Sequence, residues 1–325
     1  MPEAGLIYSN ARIKSMERNL VGSAQLSRLL DADSVGDAFK LLVEFGYGNG
    51  ISIDDKNAFE NLIAYERTQA TEFFKENVFK SSGLENLLKR EDYHNLKAAI
   101  KAFRTGQENP EAFYPSGNID KNVIVQAVLS GDCSALPVHM RNAIQSLDPS
   151  AGPRQIDVAV DKALYSDVFA SLKKCNQKIV KEYFVKQVDL KNISAFVRVN
   201  LLGLGFAFFN EGFIEGGSLD IGFYESFASS DVELFADKLR TTDYKDIAEK
   251  CLIGKKDLVL FEKVADDILL DVFRKERNDM FSVAPIAGYY LAKCTELKVV
   301  NTVVSAIKNG IDKKLLAKRL RELYA

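Results

Sequence analysis

Apolar residues recur along this chain at helical spacing, and one arrangement of them is used three times. From Asp92 the apolar positions fall four, seven and eight residues on, at Leu96, Ala99 and Ile100, and Gly106 closes the run. The same steps lead from Asp189 to Ile193, Phe196, Val197 and Gly203, and from Glu296 to Val300, Val303, Val304 and Gly310. Positions so spaced share one face of a 3.6-residue helix, so each copy predicts an amphipathic helix that lays a stripe on a core. Glycine just past the last apolar turn suits the left-handed position that ends many helices, because it has no Cβ to make that conformation costly. Asn95 and Asn192 each stand three residues after the acid that opens their copy. Copies about one hundred residues apart are the mark of an internal repeat.

The third copy lies in residues 281–310, the stretch around which the chain is organised, and its second half reads as a helix. Elsewhere the periodicity predicts a first helix over residues 8–20, with Ser9 and Asn10 available as caps, then two short helices before the glycine-rich residues 46–50. Long helices are expected over residues 57–78, from about residue 156 through Val160, Leu164, Val168 and Leu172, and over residues 258–273. Short helical runs occupy residues 119–129 and 135–147, and a basic helix closes the chain over residues 313–324. Breaks fall at residues 81–83, at 106–117 and between Gly203 and Gly222, a linker that takes in Gly212.

A second, different element repeats as well. Ser34, Val35, Leu42 and Tyr47 find counterparts at the same internal spacing in Asp231, Val232, Leu239 and Tyr244. Two independent elements with one period predict an all-α chain of three homologous helical domains, 1–107, 108–206 and 207–325. Each is a pair of short helices, a long helix and a terminal helix.

Composition narrows the functions open to such a chain. With 43 basic against 45 acidic residues the formal charge is −2, so no global field would draw nucleic acid or anionic lipid. Four scattered cysteines, at 133, 175, 251 and 294, have no metal-ligand spacing and read as buried thiols in a reducing cytosol. Charges at Arg12, Lys14, Glu17 and Arg18 interrupt any signal sequence. The longest apolar run, residues 201–209, is far short of the roughly twenty that a spanning helix needs, so any membrane connection is expected through a partner.

Chemistry is sparse. No phosphate-cradling G-x-x-x-x-G-K-[ST] loop is present, and Gly203 and Gly205 make only a fragment of a dinucleotide fingerprint with no strand before it. His94 and His139 fall in different predicted domains, which leaves no histidine-based metal site or triad. Asp267 and Asp271, one helical turn apart beside Asp266, are the nearest thing to a magnesium site, and a solvated acidic face accounts for them more simply. Asp92, Asp189 and Glu296 lack a basic or metal partner in sequence and are expected to hydrogen-bond at a helix or domain junction. No enzyme, no cofactor and no metal follow from these residues.

A family resemblance accompanies that reading. Pro285, Tyr289, Glu296, Asn301 and Gly310 with the closing basic helix resemble the end of the C subunit of V-type and archaeal A-type ATP synthases, related to the eukaryotic V-ATPase d subunit. Tyr8, Ala11 and Arg12, then the leucine-rich run from Leu26 to Leu42 ending at Tyr47 and Gly48, resemble its opening, so the likeness covers nearly the whole chain. It implies three domains about a pseudo-threefold axis forming a funnel, and a non-catalytic rotor part on the cytoplasmic face. One copy per complex, monomeric when isolated, would join the central stalk to the membrane proteolipid ring, with no nucleic acid and no small-molecule substrate. Arg319 and Arg321 are a possible rim for such a joint, a solvated helix face being the plainer account. The alternative is a free-standing helical scaffold that holds a partner helix or peptide.

Overall fold

The computed structural model describes residues 3–50, 58–79, 81–107, 112–115, 117–311, 316 and 320. Their regular structure is helical, with no strand among them, and the chain falls into two units: residues 1–79 with 257–325, and residues 80–256.

The first unit opens with α1 (Glu3–Met16), α2 (Ser23–Asp31), α3 (Val35–Glu44) and α4 (Ala58–Asn77). Helix α1 starts earlier than the periodicity predicts, and Ser9 and Asn10 lie inside it rather than capping it. Ser9 donates to the Gly5 carbonyl, and the buried Asn10 amide donates to the carbonyls of Met280 and Ser282 at 2.9 and 3.0 Å. A polar residue near an apolar run is an N-cap candidate by composition. Here the Asn10 partners lie 270 and 272 residues away, where no local rule reaches.

The second unit holds α5 (Asn86–Thr105), α6 (Lys121–Ser130), α7 (Val138–Ser146), α8 (Pro153–Leu172) and α9 (Lys178–Leu201). After them come the shorter α10 (Phe206–Gly212), α11 (Ile221–Glu225), α12 (Val232–Leu239) and α13 (Lys245–Ile247). Gly212 is thus the last residue of a helix, not part of a structureless linker. Helices α5 and α8 run antiparallel and are stitched by a ladder: Lys89 to Asp167 at 2.7 Å, Lys97 to Asp161 at 2.8 Å, Lys101 to Asp157 at 2.6 Å, and Arg104 to the Ala151 carbonyl. The three lysines stand eight and four residues apart on α5, so one face of α5 meets one face of α8. Beneath α9 the aromatic rings of Phe196, Phe209, Tyr224 and Phe235 pack with centroids 4.6 to 5.9 Å apart.

The first unit resumes with α14 (Leu258–Arg274) and α15 (Ala284–Lys308). Helix α15 is longer than the second half of its stretch, because Pro285 is harmless in the first turn, where its missing N–H has no helical partner. Its stripe of Leu297, Val300, Val303 and Val304 shares a core with Leu29, Leu42, Phe59 and Leu62. Aromatic pairs join α15 to α4: Tyr290 stacks on Phe74 at 4.3 Å, and Tyr289 meets Phe73 edge-on at 5.8 Å.

Cys175 and Cys251 are buried, whereas Cys133 and Cys294 are only half-buried, so two of the four thiols depart from the expected burial; all are free. Among the described residues no helix is long and apolar enough to cross a membrane. The closing basic run, including Arg319 and Arg321, lies outside the described residues.

Candidate functional site

Helices α5, α9 and α15 each carry a buried acid at the matching place of the repeat: Asp92, Asp189 and Glu296, none more than 2% exposed. A buried carboxylate has to be matched by donors. Each of these is matched in the same way, by the backbone N–H of an apolar residue that stands directly before the N-cap of another helix.

At Asp189 the Leu219 N–H donates to Oδ1 at 3.0 Å, while the Ser218 N–H and hydroxyl donate to Oδ2 at 2.9 and 2.6 Å. Asp220 then caps α11 by accepting from the Phe223 N–H. At Asp92 the Ile119 N–H donates to Oδ1 and the Asn118 amide to Oδ2, both at 3.0 Å, and Asp120 caps α6. At Glu296 the Val21 N–H donates to Oε2 at 2.7 Å, and Gly22 is the N-cap of α2. The acid therefore anchors the entry of the next short helix, and in the third case that helix belongs to the opening of the chain.

The asparagines one turn further on complete the clamp. Asn192 donates to the Ile214 carbonyl at 2.8 Å and accepts from its N–H at 3.1 Å; Asn95 does the same to Tyr114 at 3.0 and 2.8 Å. A side-chain amide that takes both backbone groups of one residue mimics a strand pairing and fixes the loop in position. In both loops the residue three places on is glycine, Gly117 or Gly217, and a Cβ there would overlap the acid's Oδ1. The third copy has Asn19 at that place and the longer Glu296 as its acid. An extra methylene gives this carboxylate a longer reach than the two aspartates have.

Tyrosines finish two of the three sites. The Tyr244 hydroxyl donates to Asp189 Oδ2 at 2.6 Å, and the Tyr47 hydroxyl to Glu296 Oε1 at 2.5 Å. These are the paired tyrosines of the second repeated element. Burial, reinforced by the adjacent carboxylate, pushes both phenols well above their usual range, so they stay protonated as donors.

At Glu296 a cation joins the site. Lys293 Nζ lies 2.8 Å from Glu296 Oε1 and 3.0 Å from Glu66 Oε2, and 4.3 Å from the Tyr47 ring centroid; the other Glu66 oxygen accepts from the Gly48 N–H. This corrects the expectation that the acid has no basic partner in sequence, since Lys293 stands three residues before it. Burial works to lower the Lys293 pKa, and the two glutamates outweigh it, so the ammonium is held above its usual value.

Gly106, Gly203 and Gly310, at the ends of the same helices, have φ of 64°, 65° and 64°. The acidic run on α14 is engaged with its neighbours: Asp271 accepts from Arg274 at 2.8 Å, and Asp266 lies 4.0 Å from Lys298. Among the described residues no group of three or more His, Cys, Asp or Glu is placed to hold a metal ion. What the sequence reading missed, besides Lys293 and Glu66, is the loop signature of Gly117, Ile119 and Asp120 against Gly217, Leu219 and Asp220, visible once the two loops are aligned on their N-caps.

Buried acids committed to helix entries, in an all-helical chain with a repeated plan, make a polar core that organises the fold. Over residues 9–319 the chain matches the family described as the ATP synthase (C/AC39) subunit, and it belongs to that family. It is 22% identical to the C subunit of the V-type sodium ATPase of Enterococcus hirae over 97% of this chain and 98% of that one. It is 25% identical to the C subunit of the A-type ATP synthase of Pyrococcus horikoshii over 97% and 89%, and 23% identical to the C subunit of the V-type ATP synthase of Thermus thermophilus over 87% and 88%. Membership makes the chain a structural, non-catalytic subunit of a rotary ATPase, with other subunits of that membrane-associated complex as its partners.

Proposed function

We propose that this protein is the coupling piece of the rotor, one copy of which joins the central stalk to the proteolipid ring on the cytoplasmic face of the membrane. Torque from ATP hydrolysis elsewhere passes through it to the ring and drives protons or sodium ions across; in synthesis the direction reverses. Three helical domains, 1–107, 108–206 and 207–325, arranged as a funnel about a pseudo-threefold axis would receive the stalk tip. The observation that most supports this reading is the cyclic order of the carboxylate anchors: the third, at Glu296, binds the Val21 N–H at the start of the chain, so the repeat has no free end. A torque-bearing joint needs rigid, mutually pinned helices, and buried charge-assisted hydrogen bonds hold helix entries more tightly than neutral ones.

The test is reconstitution. A tagged protein should be recovered from detergent-solubilised membranes with both stalk and ring subunits, and a complex assembled without it should still hydrolyse ATP but accumulate no ions. Recovery of the tagged protein free of every other part of the ATPase would refute the proposal and leave a free-standing scaffold.

A further inference from the structure

A groove of about 630 Å³ opens along the exposed face of α8. It is lined on one side by Lys162, Ser166, Phe169, Ala170 and Lys173 and on the other by Asn210 and residues 213–216, with His139 of α7. The loop side is built rather than incidental. Asn192 holds both backbone groups of Ile214, Asp189 holds Ser218 and Leu219, and Gly216, at φ 102°, lies where a Cβ would overlap the Phe169 ring. A second anchored loop therefore fixes the groove's shape before anything enters it, and preformed walls lower the cost of binding.

Charge states what fits. Lys162 and Lys173 are both exposed and have no ion pair among the described residues, although α8 forms ion pairs along its other face through Asp157, Asp161 and Asp167. Eleven residues of helix separate the two ammonium-bearing positions by about 16 Å, the span of about five extended residues. Phe169 and Phe213 also line the groove. Glu215 is the one acidic residue on the lining and sits on the opposite wall from the lysines.

We infer that this groove docks an acidic segment of a partner protein, with carboxylates at either end against Lys162 and Lys173 and an apolar side chain between them on Phe169 and Phe213. The inference goes beyond the coupling role and does not depend on it, because the groove, the unpaired lysines and the anchored wall belong to the isolated chain.

The probe is a fluorescein-labelled hexapeptide with two glutamates on each side of a Phe-Leu pair, followed by anisotropy on the full chain. Saturable binding is expected at low salt, weakening as salt rises and weakening tenfold or more in Lys162→Glu/Lys173→Glu. Lys162→Gln/Lys173→Gln should weaken it less, and circular dichroism of both variants should match the parent, since the positions are exposed. Lys238→Glu/Lys255→Glu, the same charge change at two other exposed lysines, should leave binding intact. Equal loss in that control, equal binding of a probe with glutamines in place of glutamates, or no saturation with the parent protein would each overturn the proposal. So would vesicles of phosphatidylglycerol binding at these lysines while the peptide does not, which would make the groove a lipid contact.

Discussion

Asp189 and Glu296 do the same job with different chemistry. Each sits in the middle of a long helix, each anchors the residue before an N-cap, and each takes a tyrosine hydroxyl. Asp189 is met by two backbone N–H groups and two hydroxyls; Glu296 is met by one N–H, one hydroxyl and the ammonium of Lys293, which in turn binds Glu66. The short acid needs the loop pressed against it and therefore a glycine; the long acid reaches out and tolerates a side chain. Losing one neutral donor leaves the carboxylate its other partners, whereas a buried ion cluster that loses its cation strands the remaining charge. The two sites should accordingly fail in different ways.

The largest effect should come from Lys293→Met, which leaves Glu296 and Glu66 buried together without their counterion. We expect a loss of about 3 to 5 kcal/mol in denaturant unfolding. A loss below about 1 kcal/mol, the range of an exposed pair, would remove the distinction between the two sites. Next comes Gly217→Ala, where the new methyl meets Asp189; overpacking of this kind costs about 1 to 3 kcal/mol. Asn19→Ala, at the matching place in the Glu296 site, should be nearly neutral by the same measurement, and equal losses at the two would contradict the account of acid length.

Gly106→Val, Gly203→Val and Gly310→Val should each lower stability by about 1 to 2 kcal/mol, because all three sit at left-handed φ. A Cβ at any of them meets nothing within 4 Å, so the penalty is conformational alone. Gly212→Val, at ordinary φ with its nearest neighbour 3.8 Å away, should cost much less in the same melting series. The smallest effect concerns His94, whose burial, against the opposing bond to the Ala112 carbonyl, holds its pKa below the usual value. A depressed basic group is protonated more readily in the unfolded chain, so its share of stability is full above about pH 6.5 and is lost as pH falls through the folded value. His94→Gln should flatten the fall in melting temperature between pH 7 and pH 5; an unchanged slope would show that His94 carries none of it.

The helices were legible because they are long and strongly periodic, and the three terminal glycines because left-handed helix ends favour one residue type. Tyr47 and Tyr244 were legible as a matched pair but not as donors, since spacing says that two positions correspond and not what they touch. Lys293 was missed for a physical reason: an i,i+3 lysine and glutamate on a helix usually face water, and only the tertiary packing of Glu66 and Tyr47 against them makes this pair a buried cluster. Ser9 and Asn10 failed similarly, because their composition fits a cap while the Asn10 partners lie on the far side of the chain.

The bond between Val21 and Glu296 has a further consequence for the order of events on the ribosome. It spans 275 residues, and the hydrophobic core that α2 and α3 share with α15 is closed over a similar distance. Residues 1–79 are made before residues 257–325, so the core that Leu29, Leu42, Phe59 and Leu62 form stays incomplete until Leu297, Val300, Val303 and Val304 emerge. The intervening residues 80–256 carry their own contacts and are free to fold during the wait. Newly made chains should therefore present a finished middle and an unfinished beginning, with the sticky faces of Leu29, Leu42 and Leu62 exposed for most of translation, the interval in which a chaperone would find this protein.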